Sequence, residues 1–220
     1  MNYLNWPVGR IATQIPGATA VFFENKINFC CLGDKTLAEV IEQKQLKESP
    51  ILDSLDILSA RTNTTPNWQE LDNKALIEHI YRRFHLVHRE QLPELIRLAE
   101  RVETVHHDHP LCPRGLSEFL TGMKGELEQH MQKEEMALFP MLSADFAPMV
   151  GGPISVMRSE HEEHMADIEN IYRLTRDISL HPDACNTWQA LYLGLREFIS
   201  DLHTHIHLEN DVLFERATKH

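Results

Sequence analysis

Apolar residues recur every three or four positions through most of this chain, and no stretch alternates long enough to make a convincing strand. The longest helical patterns lie after residue 68. One runs roughly from Leu71 to Val105, with Pro93 in its middle removing a backbone donor and predicting a kink or local break. A second begins at Pro113, a favourable first-turn residue, and reaches about Leu142. Gly151-Gly152 closes a loop, Pro153 opens a third helix to about Asp177, and a fourth follows Pro182 and ends near Ala217. Four helices joined by short or moderate loops predict an all-α fold, an antiparallel four-helix bundle.

Ahead of the bundle lies a small unit, residues 1–60, with short helical patterns at Val8 to Ile15, Ala18 to Glu24, Thr36 to Gln45 and Pro50 to Ala60, and a turn at Cys30-Cys31-Leu32-Gly33-Asp34. Residues 61–67 carry no hydrophobic period and read as a linker, so the bundle occupies 68–220. A unit of about 60 residues is marginal alone, which predicts docking on the larger domain.

Composition narrows the partners. The 220 residues carry 33 acidic against 21 basic side chains, a formal charge of −12, with no Lys/Arg stripe. That balance argues against nucleic acid and anionic membranes. The first ten residues lack the basic start and apolar core of a signal peptide, and no apolar run approaches the ~18 residues of a membrane span. A soluble, cytoplasmic protein is expected. Its four cysteines fit neither a disulfide framework nor a zinc ribbon, so reduced thiols are the default.

Candidate chemistry comes from a repeat. His130-x3-Glu134-x3-Leu138-Phe139 and His205-x3-Glu209-x3-Leu213-Phe214 each place an imidazole and a carboxylate one helical turn apart, aimed the same way. Positions three, four and seven from His205 hold Phe198, Leu202, Leu208 and Val212, and equivalent neighbours of His130 and His161 are apolar, so all three face the core. His203 and His207 share a face with Arg196, Ser200, Asn210 and Asp211 and are expected to be solvated. On the first helix, periodicity leaves His85 and His88 both open. Glu126 and Asp201, each four residues before a ligand histidine, are candidates to orient an imidazole or to line a channel, as well as for plain surface charge. One imidazole from each helix with two bridging carboxylates leaves open positions on each of two ions. That donor set suits iron or manganese, with zinc or a mixed-metal site the runner-up. His106-His107-Asp108-His109 falls in a polar loop, where adventitious binding is the simpler reading, and the eight methionines read as gap fillers.

At this point the chain resembles the repair-of-iron-centres proteins, in which a small vicinal-cysteine domain precedes a haemerythrin-like bundle. The resemblance rests on Asn28-Phe29-Cys30-Cys31, on Phe84-His85-x2-His88-Arg-Glu-Gln-Leu-Pro-Glu-Leu, on the two His-x3-Glu repeats, and on Gly152-Pro-Ile-Ser-Val-Met-x2-Glu160-His161. It implies metal ligands at His85, His130, His161 and His205, with Glu134 and Glu209 bridging two non-haem irons per chain, oxo- or hydroxo-bridged. His88 and Glu160 then join Glu126 and Asp201 as residues behind the ligands or along a channel, and Cys30 and Cys31 become a redox or iron contact. The implied function is restoring iron–sulfur clusters damaged by nitric oxide or peroxide, by donating iron or by reducing nitric oxide. The partners are damaged iron–sulfur proteins or a cluster scaffold, with NO and O2 as small ligands, on a monomer or homodimer. Two departures stand out: Leu32 replaces the first glycine of the family's Cys-Cys-Gly-Gly, and the histidine pair that oxygen-carrying haemerythrins have on the third helix is reduced to His161. The competing reading is a haemerythrin-like O2 or NO sensor or carrier.

Overall fold

The computed structural model describes residues 3–15, 18–27, 32–60, 68–144 and 150–218. Every regular element among them is helical, apart from one isolated bridge between Pro7 and Thr36. No described helix is long and apolar enough to cross a membrane. Contacts divide the chain into two compact units, Met1–Leu76 with His203–His220, and Ile77–Leu202.

Four short helices open the chain: α1 (Val8–Gln14), α2 (Ala18–Glu24), α3 (Leu37–Lys44) and α4 (Glu48–Ala60). None is long enough to be stable alone, so what holds them is the core they share, with Val8, Ile11, Phe22, Leu37, Val40, Ile51 and Leu55 all buried. Thr36 starts α3 with a capping box, accepting from Glu39 N while the Glu39 carboxylate accepts from Thr36 N. Leu32, the departure from the double glycine, packs against this core, and the neighbouring Gly33 meets Gly9 closely. Gly9 N–H donates to Gly33 O at 3.1 Å, and a Cβ on Gly9 would sit 3.2 Å from the Gly33 backbone. Cys30, Cys31 and the 61–67 linker lie outside the described residues.

The first long segment departs from its expected form. Helix α5 (Asn73–Ile80) passes into a π-helical turn, Tyr81–His85, and α6 (Leu86–Val105) continues unbroken through Pro93. The irregularity therefore falls at the ligand candidate rather than at the proline. Pro93 is exposed, on the side of the helix where a missing donor is tolerated. Helix α7 (Leu116–Lys133) packs on α6 and continues through a π turn, Glu134–Leu138, into α8 (Phe139–Ser143). Helix α9 (Gly151–Thr175) packs on α7. Gly151 and Gly152 form its first turn instead of the expected loop, placing Pro153 at a position where its missing N–H costs nothing. Helix α10 (Asn186–His207) leads through a third π turn, Leu208–Leu213, to α11 (Phe214–Thr218). Arg216 of α11 donates to the carbonyls of Trp68 and Leu71, tying the last helix to the residues that precede α5.

Each long helix buries a stripe at three- and four-residue spacing, and the site histidines are further members of those stripes. On α7 the series is Leu116, Leu120, Met123, Leu127, His130; on α9 it is Ile154, Met157, His161, His164, Met165, Ile168. The packing that forms the core therefore also aims the imidazoles inward. Close approach helps: a Cβ on Gly194 would lie 2.9 Å from Leu95 Cδ2, so α10 presents a gap that this leucine fills.

A polar clamp sits within the Ile77–Leu202 unit. Arg83 donates to both oxygens of Asp201, at 2.6 and 3.1 Å, and Gln91 adds a third donor at 2.9 Å. Asp201 is buried while Arg83 is 46% exposed. Arg83→Met should lower unfolding free energy by about 2 kcal/mol, less than for a fully buried pair because half the guanidinium keeps its water. Urea unfolding checks this, and a loss below about 0.5 kcal/mol would mean that Gln91 alone satisfies the carboxylate.

Candidate metal centre

The site is built where the helices are least regular. The three π turns carry, or directly include, His85, Glu134 and Glu209. Their i→i−5 bonds run from Leu86 N to Tyr81 O, from Phe139 N to Glu134 O and from Phe214 N to Glu209 O. Such turns widen a helix locally and recur at functional sites. Both copies of the repeat have the turn at the same place, so Glu-x3-Leu-Phe is its sequence mark. One consequence is visible at Phe139, whose ring stacks on His85 with centroids 5.5 Å apart.

Ligand-capable atoms of His85, Glu134, His205 and Glu209 lie within 4.8 Å of one another, and so do those of His130, Glu134, His161 and Glu209. All are buried, and Glu134 and Glu209 belong to both groups. His88, the other candidate on the first segment, is equally buried but bonds through Nδ1 to Gln91 Oε1 at 3.2 Å and lies edge-on to Phe198. Through Gln91 it is linked to Asp201 and Arg83.

Whether these residues suit a cation can be read from their hydrogen bonds. His85 Nδ1 is 2.7 Å from Glu135 Oε1, and His130 Nδ1 is 2.9 Å from Glu160 Oε2. An ionised carboxylate only accepts, which assigns the proton to each Nδ1 and leaves a lone pair on each Nε2. Those Nε2 atoms point toward Glu134 and His161. His85 Nε2 is 3.4 Å from Glu134 Oε2, and His130 Nε2 is 3.5 Å from Glu134 Oε1 and 3.0 Å from His161 Nε2. His205 Nε2 is 3.0 Å from Glu209 Oε1. Buried carboxylates and imidazole nitrogens converging in this way fit metal ions, and an all N/O set without sulfur fits iron or manganese better than structural zinc.

The carboxylates behind the two imidazoles are held differently. Glu135 also accepts from Arg89 at 2.9 Å, Arg89 donates to Glu128 at 2.8 and 3.1 Å, and Glu128 takes a further bond from Gln132. Arg89 is driven above the ordinary guanidinium range, chiefly by its bond to Glu128, and that same bond holds Glu128 below the usual carboxylate range. Glu160 is instead paired with Lys133, whose side chain is half exposed. Glu135 was not among the residues expected from the sequence. Its only signal there is the Glu134-Glu135 doublet, which the second repeat replaces with Glu209-Asn210.

Glu126 lies exposed on the rim of a cavity beside Glu160. The expectation of a solvated His203 and His207 is overturned: they are 7% and 2% exposed. Burial lowers the His203 pKa to about 4, and His207 Nδ1 bonds Asp211 Oδ2 at 2.7 Å. The face that looked polar in sequence is covered, which the pattern of a single helix does not reveal.

Comparison with known proteins agrees with this arrangement. The haemerythrin HHE cation binding domain matches residues 76–217, so the larger part of the chain is a haemerythrin-type, cation-binding helical bundle. A domain of unknown function, ScdA_N, matches residues 4–59. The iron-sulfur cluster repair protein YtfE of Dickeya chrysanthemi is 46% identical over 219 residues, covering 100% of this chain and 99% of that protein. The proteins of the same name from Pectobacterium carotovorum and Yersinia pseudotuberculosis are 45% and 42% identical over the same span. The chain belongs to this family of iron-sulfur cluster repair proteins.

Proposed function

We propose that this protein helps repair damaged iron–sulfur clusters in the cytoplasm, by supplying iron from a binuclear site. The observation that carries the reading is the pair of buried ligand groups sharing Glu134 and Glu209. His85, His130, His161 and His205 would supply the nitrogens, and the two glutamates would bridge. Iron bound there would supply transferable ferrous ions and one-electron chemistry. The protein's own contribution is orientation and charge. Glu135 and Glu160 keep the Nδ1 protons of His85 and His130 directed outward and so keep both Nε2 lone pairs directed into the site. Glu134 and Glu209 offset the positive charge of the cargo in a setting closed to bulk water. Cys30 and Cys31 are proposed as the soft contact through which iron passes to a recipient, since thiolates bind ferrous iron and exchange it.

The test uses a [4Fe–4S] dehydratase inactivated by peroxide. The iron-loaded protein should reactivate it faster than an equal amount of free ferrous iron. The double variant Cys30→Ser/Cys31→Ser should keep its iron and lose most of the reactivation. Reversible O2 binding with no iron transferred would favour the carrier reading instead.

A further inference from the structure

Beside the ligand pair His130–His161 lies a cavity of about 170 Å³ lined by Glu126, Gln129, Lys133, Glu160, Glu163 and His164. Three carboxylates on a rim would by themselves be ordinary helix-surface charge. His164 makes the difference. It is 3% exposed, lines the cavity, and neither ring nitrogen has a hydrogen-bond partner among the described residues. Its nearest carboxylate, Asp167, is 3.8 Å from Nδ1, too far for a hydrogen bond. An imidazole buried without partners is costly, and one that opens onto a carboxylate-lined cavity has the donors a divalent cation takes.

Position completes the case. His164 follows His161 by one turn of α9, a rise of about 4.5 Å, and its ring stands edge-on to His130 with centroids 5.1 Å apart. Glu160 belongs to both places: it accepts the Nδ1 proton of His130 and borders the cavity. Among the described residues its one cationic partner besides His130 is Lys133, a point charge on a flexible stem. The opposite imidazole is fastened by a chain of charge-assisted bonds, His85 to Glu135 to Arg89 to Glu128.

We propose that the two metal positions differ in exchange rate, and that His164 with Glu160 and Glu163 forms a transit site through which a divalent cation leaves and reaches the position served by His130 and His161. The position served by His85 is the retained one. This rests on the binuclear reading above and adds which position gives up its ion, and by which side chains. Exchange at the labile position substitutes ligands stepwise: a His164 nitrogen and a Glu163 oxygen replace those of His161 and His130, with no change in oxidation state.

Release of iron from the full-length ferrous protein to a ferrous chelator, followed with time, tests it. Two phases of one ion per chain each are expected, with rates more than about tenfold apart, the scale on which residues behind a ligand tune affinity. His164→Ala should slow the fast phase about tenfold, and imidazole in solution should restore it. A structural lesion would instead speed release and would not answer to imidazole. Glu135→Gln should draw the slow phase toward the fast one. Far-UV circular dichroism verifies folding, and His164→Gln serves if the alanine variant does not fold. Two ions leaving in a single phase, or a folded His164 variant releasing as fast as the parent, overturns the proposal. A parent that binds fewer than two ions per chain contradicts the binuclear reading itself, and this proposal with it.

Discussion

Replacing Glu134 by glutamine is expected to remove most of the bound metal while making the metal-free chain more stable. Glu134 is fully buried, belongs to both ligand groups, and has its oxygens 3.4 and 3.5 Å from the Nε2 lone pairs of His85 and His130. Without metal, the Glu134 carboxylate is a buried charge beside two imidazoles. Glutamine brings an N–H donor and no charge, so it relieves the apo site while offering a poorer bridge. The expected gain in apo stability is about 1–2 kcal/mol, or roughly 3–6 °C in Tm for a chain of this size. Bound metal should fall from two ions per chain to less than one. A variant that loses both metal and apo stability would show that Glu134 is held by protein contacts alone. Sites that trade stability for function behave in the predicted way.

Stripping the metal from the parent protein should produce the largest change in stability. A ligand that binds only the folded chain stabilises it by RT ln(1 + [L]/Kd), about 2.7 kcal/mol per site at a hundredfold excess over Kd. Two sites give about 5 kcal/mol, so chelation should lower Tm by about 10–20 °C. The same treatment should leave the Tm of Glu134→Gln almost unchanged, since that variant holds little metal to lose. Differential scanning calorimetry of both proteins, with and without chelator, gives the four values. A parent whose Tm is insensitive to chelator would mean that its helices are held by apolar packing and that the site contributes nothing to folding.

How far the sequence revealed these features depends on whether the contact is local. The His-x3-Glu repeats are local, and the apolar neighbours of His130, His161 and His205 were enough to turn those residues inward. The choice between His85 and His88 was not local. Both are fully buried, as residues three apart on one helix face can be. Periodicity alone assumes a uniform helix and has no means of separating them. Glu135 escaped notice for a related reason: it serves His85, on another helix, and nothing in its own neighbourhood marks the pairing. The misjudged face of α10 has the same origin. His203 and His207 alternate with polar residues, yet burial is decided by what covers a helix, and His207 is buried while its polar neighbour Asp211 is only partly so. Pro93 makes no break, since helix α6 continues through it as one element.

The binuclear iron site is tested most directly by the metal content of the purified full-length protein, as iron and zinc per chain by mass spectrometry of the metals. About two irons per chain are expected, falling to less than one in Glu134→Gln and staying near two in Cys30→Ser/Cys31→Ser. One zinc per chain, or a single iron that survives the Glu134 substitution, would contradict it.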